Sequence, residues 1–84
     1  MIKKICSVRD RLTGHLNIFL EDNEKVAMRN FTRAIMHAGP TVDKGDIELI
    51  QHGDFDTELG TFIIKPSVLL MTGNEVKTNV EDTI

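Results

Sequence analysis

Residues 52–62 read HGDFDTELGTF, and the fold depends on whether this run is a metal loop, a pair of catalytic acids or a turn. An EF-hand calcium loop needs oxygen ligands at its first, third and fifth positions, glycine at the sixth and a bidentate glutamate at the twelfth. Counted from Asp54, the sixth position is Leu59, the glycine follows one place late as Gly60, and the twelfth is Lys65. A cation where the bidentate carboxylate belongs argues against calcium. An acid pair needs two carboxylates facing each other across a cleft, one of them in a pocket that raises its pKa. Carboxylates in a short exposed turn stay solvated and ordinary. The run therefore reads as a hairpin turn: Asp56 accepts turn N–H groups and Gly60 takes the left-handed backbone state that closes the loop. The same D-x-x-x-G spacing recurs at Asp10 and Gly14, which predicts a second hairpin.

Working outward, IELIQH (47–52) and TFIIK (61–65) are strands on either side of the turn, and IKKICSVR (2–9) and LNIFLE (16–21) flank the other one. Between the hairpins, Asp22 offers an N-cap and NEKVAMRNFTRAIMHA (23–38) reads as a helix ended by Gly39 and Pro40. Ala27, Met28, Phe31, Ala34, Ile35 and Ala38 converge on one side of it. Lys25, Arg29, Arg33 and His37 recur every fourth residue on the opposite side. Pro66 ends or edges the fourth strand, and VLLM (68–71) is a short fifth strand or a packed arm. The expected fold class is α+β: two β-hairpins flanking one α-helix (ββαββ), an antiparallel sheet with the helix on one face. Residues 1–71 form the single domain and 72–84 a polar, partly mobile tail.

A chain of 84 residues supports one core and no deep cleft with a lid. Its one cysteine, Cys6, cannot form an internal disulfide, so a reducing, cytosolic setting is expected, with the thiol buried. No signal peptide and no bilayer-spanning run is expected. His15, His37 and His52 lie on different elements without metal-ligand spacing, and no nucleophile elbow or phosphate-binding glycine loop is present. The expectation is a non-enzymatic protein with no cofactor, no metal site and no membrane.

Net charge is −3, but it is unevenly distributed. Residues 1–33 hold seven basic and four acidic side chains, whereas 34–84 hold three basic and nine acidic. Such asymmetry lets one surface attract phosphate while the rest repels it. The candidate nucleic-acid surface is the helix stripe Lys25, Arg29 and Arg33, joined by Arg9 and Arg11 from the first hairpin. A second candidate follows from strand alternation. If Cys6, Val8, Leu16, Ile18, Leu20, Ile47, Leu49, Phe62 and Ile64 pack under the helix, then Ile5, Phe19, Ile50 and Ile63 point away from it. Gathered on adjacent strands, those four form an apolar patch that calls for a partner. A homodimer or the folded VLLM arm would bury it. Alternatively, the outer face is a platform for single-stranded nucleic acid, with Phe19 stacking a base and Lys3, Arg9 and Lys65 holding phosphates. The absence of Trp and Tyr weighs against that platform.

SVRDRLTGHLNIFLEDNEKVAMRNFTRAI and GDIELIQHGDFDTELGTF carry a family resemblance. The chain resembles the small non-structural protein of gokushovirus-type microviruses, phages with single-stranded DNA genomes, from about Ile5 to Val76. The first segment shows a strand, a turn and a polar cap leading into A-x-R-x-F at Ala27, Arg29 and Phe31. The second shows G-x-F-D-x-x-x-G at Gly53, Phe55, Asp56 and Gly60. The resemblance implies a DNA-binding role accessory to viral genome synthesis or packaging in the host cytoplasm. No catalytic residues come with it. It casts Arg29 as a phosphate contact and Phe31, Phe55 and Gly60 as structural. Two features depart from the family: the loop HAGPTVDKGD is shorter than the family's Pro/Ser-rich insert, and IIKPSVLLM replaces a proline-rich run. The expected partners are single-stranded DNA, a second copy of the chain, and a viral replication or host protein. The competing expectation is a homodimeric interaction or regulatory module that binds a viral or host protein through the outer sheet face.

Overall fold

The computed structural model describes residues 1–38 and 43–76. Strand β1 (Ile2–Asp10) turns into β2 (Gly14–Glu21), helix α1 (Glu24–Ala38) follows, and β3 (Ile47–Asp56) turns into β4 (Thr61–Thr72). Short 3-10 turns at Lys44–Asp46 and Gly73–Glu75 precede β3 and follow β4. The strands make one antiparallel sheet in the order β2-β1-β3-β4. The first strands of the two hairpins are therefore its centre and the second strands its edges.

This corrects the α+β expectation. Four strands and one helix do occur in the order ββαββ, but the chain is mostly antiparallel sheet. The four strands are 9, 8, 10 and 12 residues long against a single 15-residue helix. The helix covers only part of one face. A strand rises about 3.3 Å per residue where a helix rises about 1.5 Å, so β3 and β4 outrun it. The molecule is elongated accordingly, 47 × 27 × 17 Å.

Both hairpin turns form as their Asp and Gly residues dictate. Asp10 Oδ1 accepts from the Leu12 N–H at 2.9 Å. Asp56 Oδ1 accepts from Glu58 at 2.9 Å and Leu59 at 3.2 Å. Gly14 and Gly60 hold positive φ, 99° and 69°, which closes each loop. Helix α1 is capped by Asn23 rather than Asp22, its Oδ1 accepting from Val26 N–H at 2.9 Å. Gly39 and Pro40, the expected stop, lie outside the described residues. VLLM is not a fifth strand. It continues β4 through Pro66, which an edge strand tolerates because the missing N–H can face away from the ladder.

The core lies between the helix and one end of the sheet. Cys6, Ala27, Phe31, Ile35, Leu49 and Val76 are buried together, with Val8, Phe19, Met28, Ile47, Leu70 and Met71 packed around them. Thr72 pairs with Glu48 and Val76 is buried, so packing reaches Val76. Residues 77–84, the rest of the expected tail, lie outside the described residues. Burial pushes the Cys6 thiol up to about 11, an inert core group.

Face assignments change on both hairpins. Register places Phe19 opposite Cys6 and Ile18 opposite Ser7, so Phe19 belongs to the helix side and Ile18 to the outer side. On the second hairpin, Phe62 pairs with Phe55 and Ile64 with Gly53, which turns both outward. The cause is the set of register shifts between Ser7 and Arg9, Ile5 and Cys6, Leu49 and Ile50, and Gln51 and Gly53. Each unpaired residue inverts the alternation beyond it. Of the expected outward quartet, Ile5 and Ile50 do face outward but are buried at 3% and 4% exposure, Phe19 packs against the core, and Ile63 is open to solvent but on the helix side, opposite Asp54. The exposed outer-face apolar residues are Ile18, Leu20, Phe62, Ile64 and Leu69.

Candidate nucleic-acid interface

The basic side chains divide according to how the sheet pairs its acids. Arg9 is taken up by Glu48, its cross-strand neighbour: Nε donates to Oε1 at 2.8 Å and Nη2 reaches the same oxygen. Arg9 alternates with Val8 and so lies on the face away from the helix. Lys3 pairs with Asp22 at 3.0 Å. Asp54 sits between two ammonium groups, Lys4 at 3.0 Å and Lys65 at 2.8 Å. Those hydrogen bonds from Lys65 and Lys4 hold its carboxyl below the usual range. The three carboxylates that suggested calcium thus do different work: Asp54 in an ion-pair node, Asp56 in the turn, Glu58 beside the N-terminal amine.

Four basic residues of the first half remain. Lys25, Arg29 and Arg33 are exposed on α1, four residues apart and on the side opposite the buried Ala27, Phe31 and Ile35. Arg11 is exposed in the first turn, whose backbone is tied to the loop before β3 by its own N–H donating to Asp46 O at 2.8 Å. Among the described residues none of these four side chains has an ion-pair or hydrogen-bond partner. Glu21 does not neutralise the stripe: its carboxylate accepts from the Asn30 amide at 3.0 and 3.2 Å. At the first turn of the helix, Lys4, Asn23, Glu24 and Lys25 line a shallow cleft of about 390 Å³. The structure thus keeps Lys25, Arg29 and Arg33 as one strip, with Arg11 on a separate turn, and removes Arg9 from it.

The outer face holds a cluster that sequence spacing did not reveal. Ser7, fully buried, has its Oγ 2.7 Å from His15 Nδ1 and 2.7 Å from His52 Nε2. His52 Nδ1 lies 3.2 Å from Ser67 Oγ, and the two imidazoles meet edge-on at 5.2 Å. One hydroxyl carries one proton, so Ser7 donates to one ring and accepts an N–H from the other. His15 and His52 are far apart in sequence and neither is spaced like a ligand; only the pairing of β1 with both neighbours brings them to one serine. Ser7 is inaccessible and, among the described residues, no carboxylate bonds to either ring, so the arrangement lacks the geometry of a nucleophilic triad. Among the described residues no group of three or more potential ligands could hold a metal.

Burial, then the neighbouring His15, lowers the His52 pKa below the usual 6.5. The folded state therefore resists protonation that the unfolded chain accepts near 6.5. The stabilisation is fully present above that pH and is lost as pH falls through it toward the folded value. Asp54, whose folded pKa is depressed from 3.8, loses its contribution only in more acidic solution. Urea unfolding should show a lower midpoint near pH 5 than near pH 7.5, and His52→Gln should shrink that difference; an equal difference in the variant would assign it to other groups.

The chain matches the family described as Phage ORF5 protein over residues 3–76. No curated protein and no solved structure matches it.

Proposed function

Because the chain belongs to the phage ORF5 protein family, we propose that it is a non-enzymatic phage protein that binds single-stranded DNA, accessory to synthesis or packaging of the viral genome. The observation that carries this reading is the unpartnered strip Lys25, Arg29 and Arg33, whereas Lys3, Lys4, Arg9 and Lys65 are each paired to an acid among the described residues. Selective pairing leaves cations exposed where a rigid helix presents them about 6 Å apart, close to the spacing of phosphates along an extended strand. Arg11, exposed on the first turn apart from the strip, is a further unpartnered cation. Contacts of this kind bind backbone without sequence preference and weaken as salt rises. Phe19, the expected stacking side chain, packs in the core, so the reading rests on the helix and not on the sheet.

The test is a salt titration of fluorescent oligonucleotide binding by the full chain. Three or four phosphate contacts give log K against log salt a slope of about −2 to −3 for a single strand. A flat line, or no binding at low salt, defeats the reading. A second reading, a module that docks a viral or host protein, is favoured by the exposed apolar side chains of the outer sheet face.

A further inference from the structure

We propose that the outer face of the sheet is a self-association surface that closes on the same face of a second copy of this chain. A sheet with apolar side chains on both faces needs a layer on each; α1 supplies one and nothing in the described chain supplies the other. Ile5 and Ile50 form the floor of the open face, buried among their neighbours. Around them Ile18 is 70% exposed, Leu20 40%, Phe62 63%, Ile64 72% and Leu69 51%. Side chains of this size at such exposures present on the order of 500 Å² of apolar surface, at the upper end of what a monomer tolerates. A stable dimer buries about 800 Å² per partner. The rest of the contact would come from the polar and charged side chains around this patch, among them His15, Ser67 and Arg9.

Charge selects the occupant. The charges on the face are paired, Arg9 with Glu48 and Lys3 with Asp22, and each pair neutralises itself. In a two-fold contact each residue approaches copies of its own patch, so an uncharged, self-paired surface is the kind that closes on itself. Nothing on the face offers a net field by which a strongly charged partner would be chosen. The surface is also separate from the cationic strip, since α1 lies on the other side of the sheet; dimerisation and DNA binding are tested by different residues.

Sedimentation equilibrium of the full chain without DNA, across the micromolar range near neutral pH, should give the dimer mass. Ile64→Asp buries a charge in the contact and should weaken association by about 100-fold or more. Ile63→Asp, on the neighbouring residue but facing the opposite side with Asp54 and Lys65, should leave the dimer intact. Circular dichroism checks that the variants are folded; if Ile64→Asp is not, Ile18→Asp on the other flank replaces it. A wild-type chain that stays monomeric, as it would if a different protein covers the face, overturns the proposal. So does a folded outer-face variant that dimerises like wild type.

Discussion

Gly53→Ala is expected to cost this small protein a large part of its folding stability. Gly53 has φ +151°, a backbone state that side chains with a Cβ rarely adopt. It is also buried at the register shift between β3 and β4. A methyl group there would overlap the Ile63 carbonyl oxygen and stand 3.1 Å from both the Ile63 carbonyl carbon and the Ile64 Cα. These are backbone atoms of a paired strand, so relief requires moving β4. Strain and overlap together cost about 3 kcal/mol or more, against roughly 4–12 kcal/mol for a domain of this length. The urea midpoint should fall by about 1 M or more. Gly60→Ala is the control: φ is also positive, at +69°, but nothing lies within 4 Å of the added carbon. It should cost only about 1–2 kcal/mol. Equal losses at the two positions would show that close approach of the strands at Gly53 is not what the fold depends on.

The second large effect concerns the proposed DNA strip. Reversing Arg29 and Arg33 together to glutamate leaves Lys25 opposed by two new anions, so the net attraction of the strip disappears. Oligonucleotide affinity at low salt should drop by more than about 100-fold, a loss of about 3 kcal/mol. Both side chains are exposed without partners among the described residues, so the urea midpoint should barely move. Arg9→Glu makes the opposite pattern. It places a second carboxylate beside Glu48, which lowers stability, yet it lies off the strip and should leave DNA affinity nearly unchanged. If Arg9→Glu and the double reversal weakened binding alike, overall charge rather than the helix would be responsible.

The match over residues 3–76 fits the resemblance to microviral non-structural proteins carried by Ala27, Arg29 and Phe31. The structure gives those three positions separate roles: Ala27 and Phe31 are buried in the core while Arg29 is exposed on the other side of the helix. In the second motif, Asp56 and Gly60 make the turn, Phe55 packs against Phe62 at 4.7 Å, and Gly53 makes the close strand approach.

Short-range chemistry in the sequence was enough to fix the two turns, the helix and the order of elements. A carboxylate four residues before a glycine, or apolar residues at helical spacing, act on the backbone within a few positions of themselves. The exposed stripe Lys25, Arg29 and Arg33 was legible for the same reason, since it depends only on the helix period. Which side chains share a sheet face was decided only in three dimensions. A single unpaired residue in a strand reverses every alternation after it, and that residue is selected by how β1, β3 and β4 fit together. This sent Phe19 inward, turned Phe62 and Ile64 outward, drew Arg9 to Glu48, and joined His15 and His52 through Ser7.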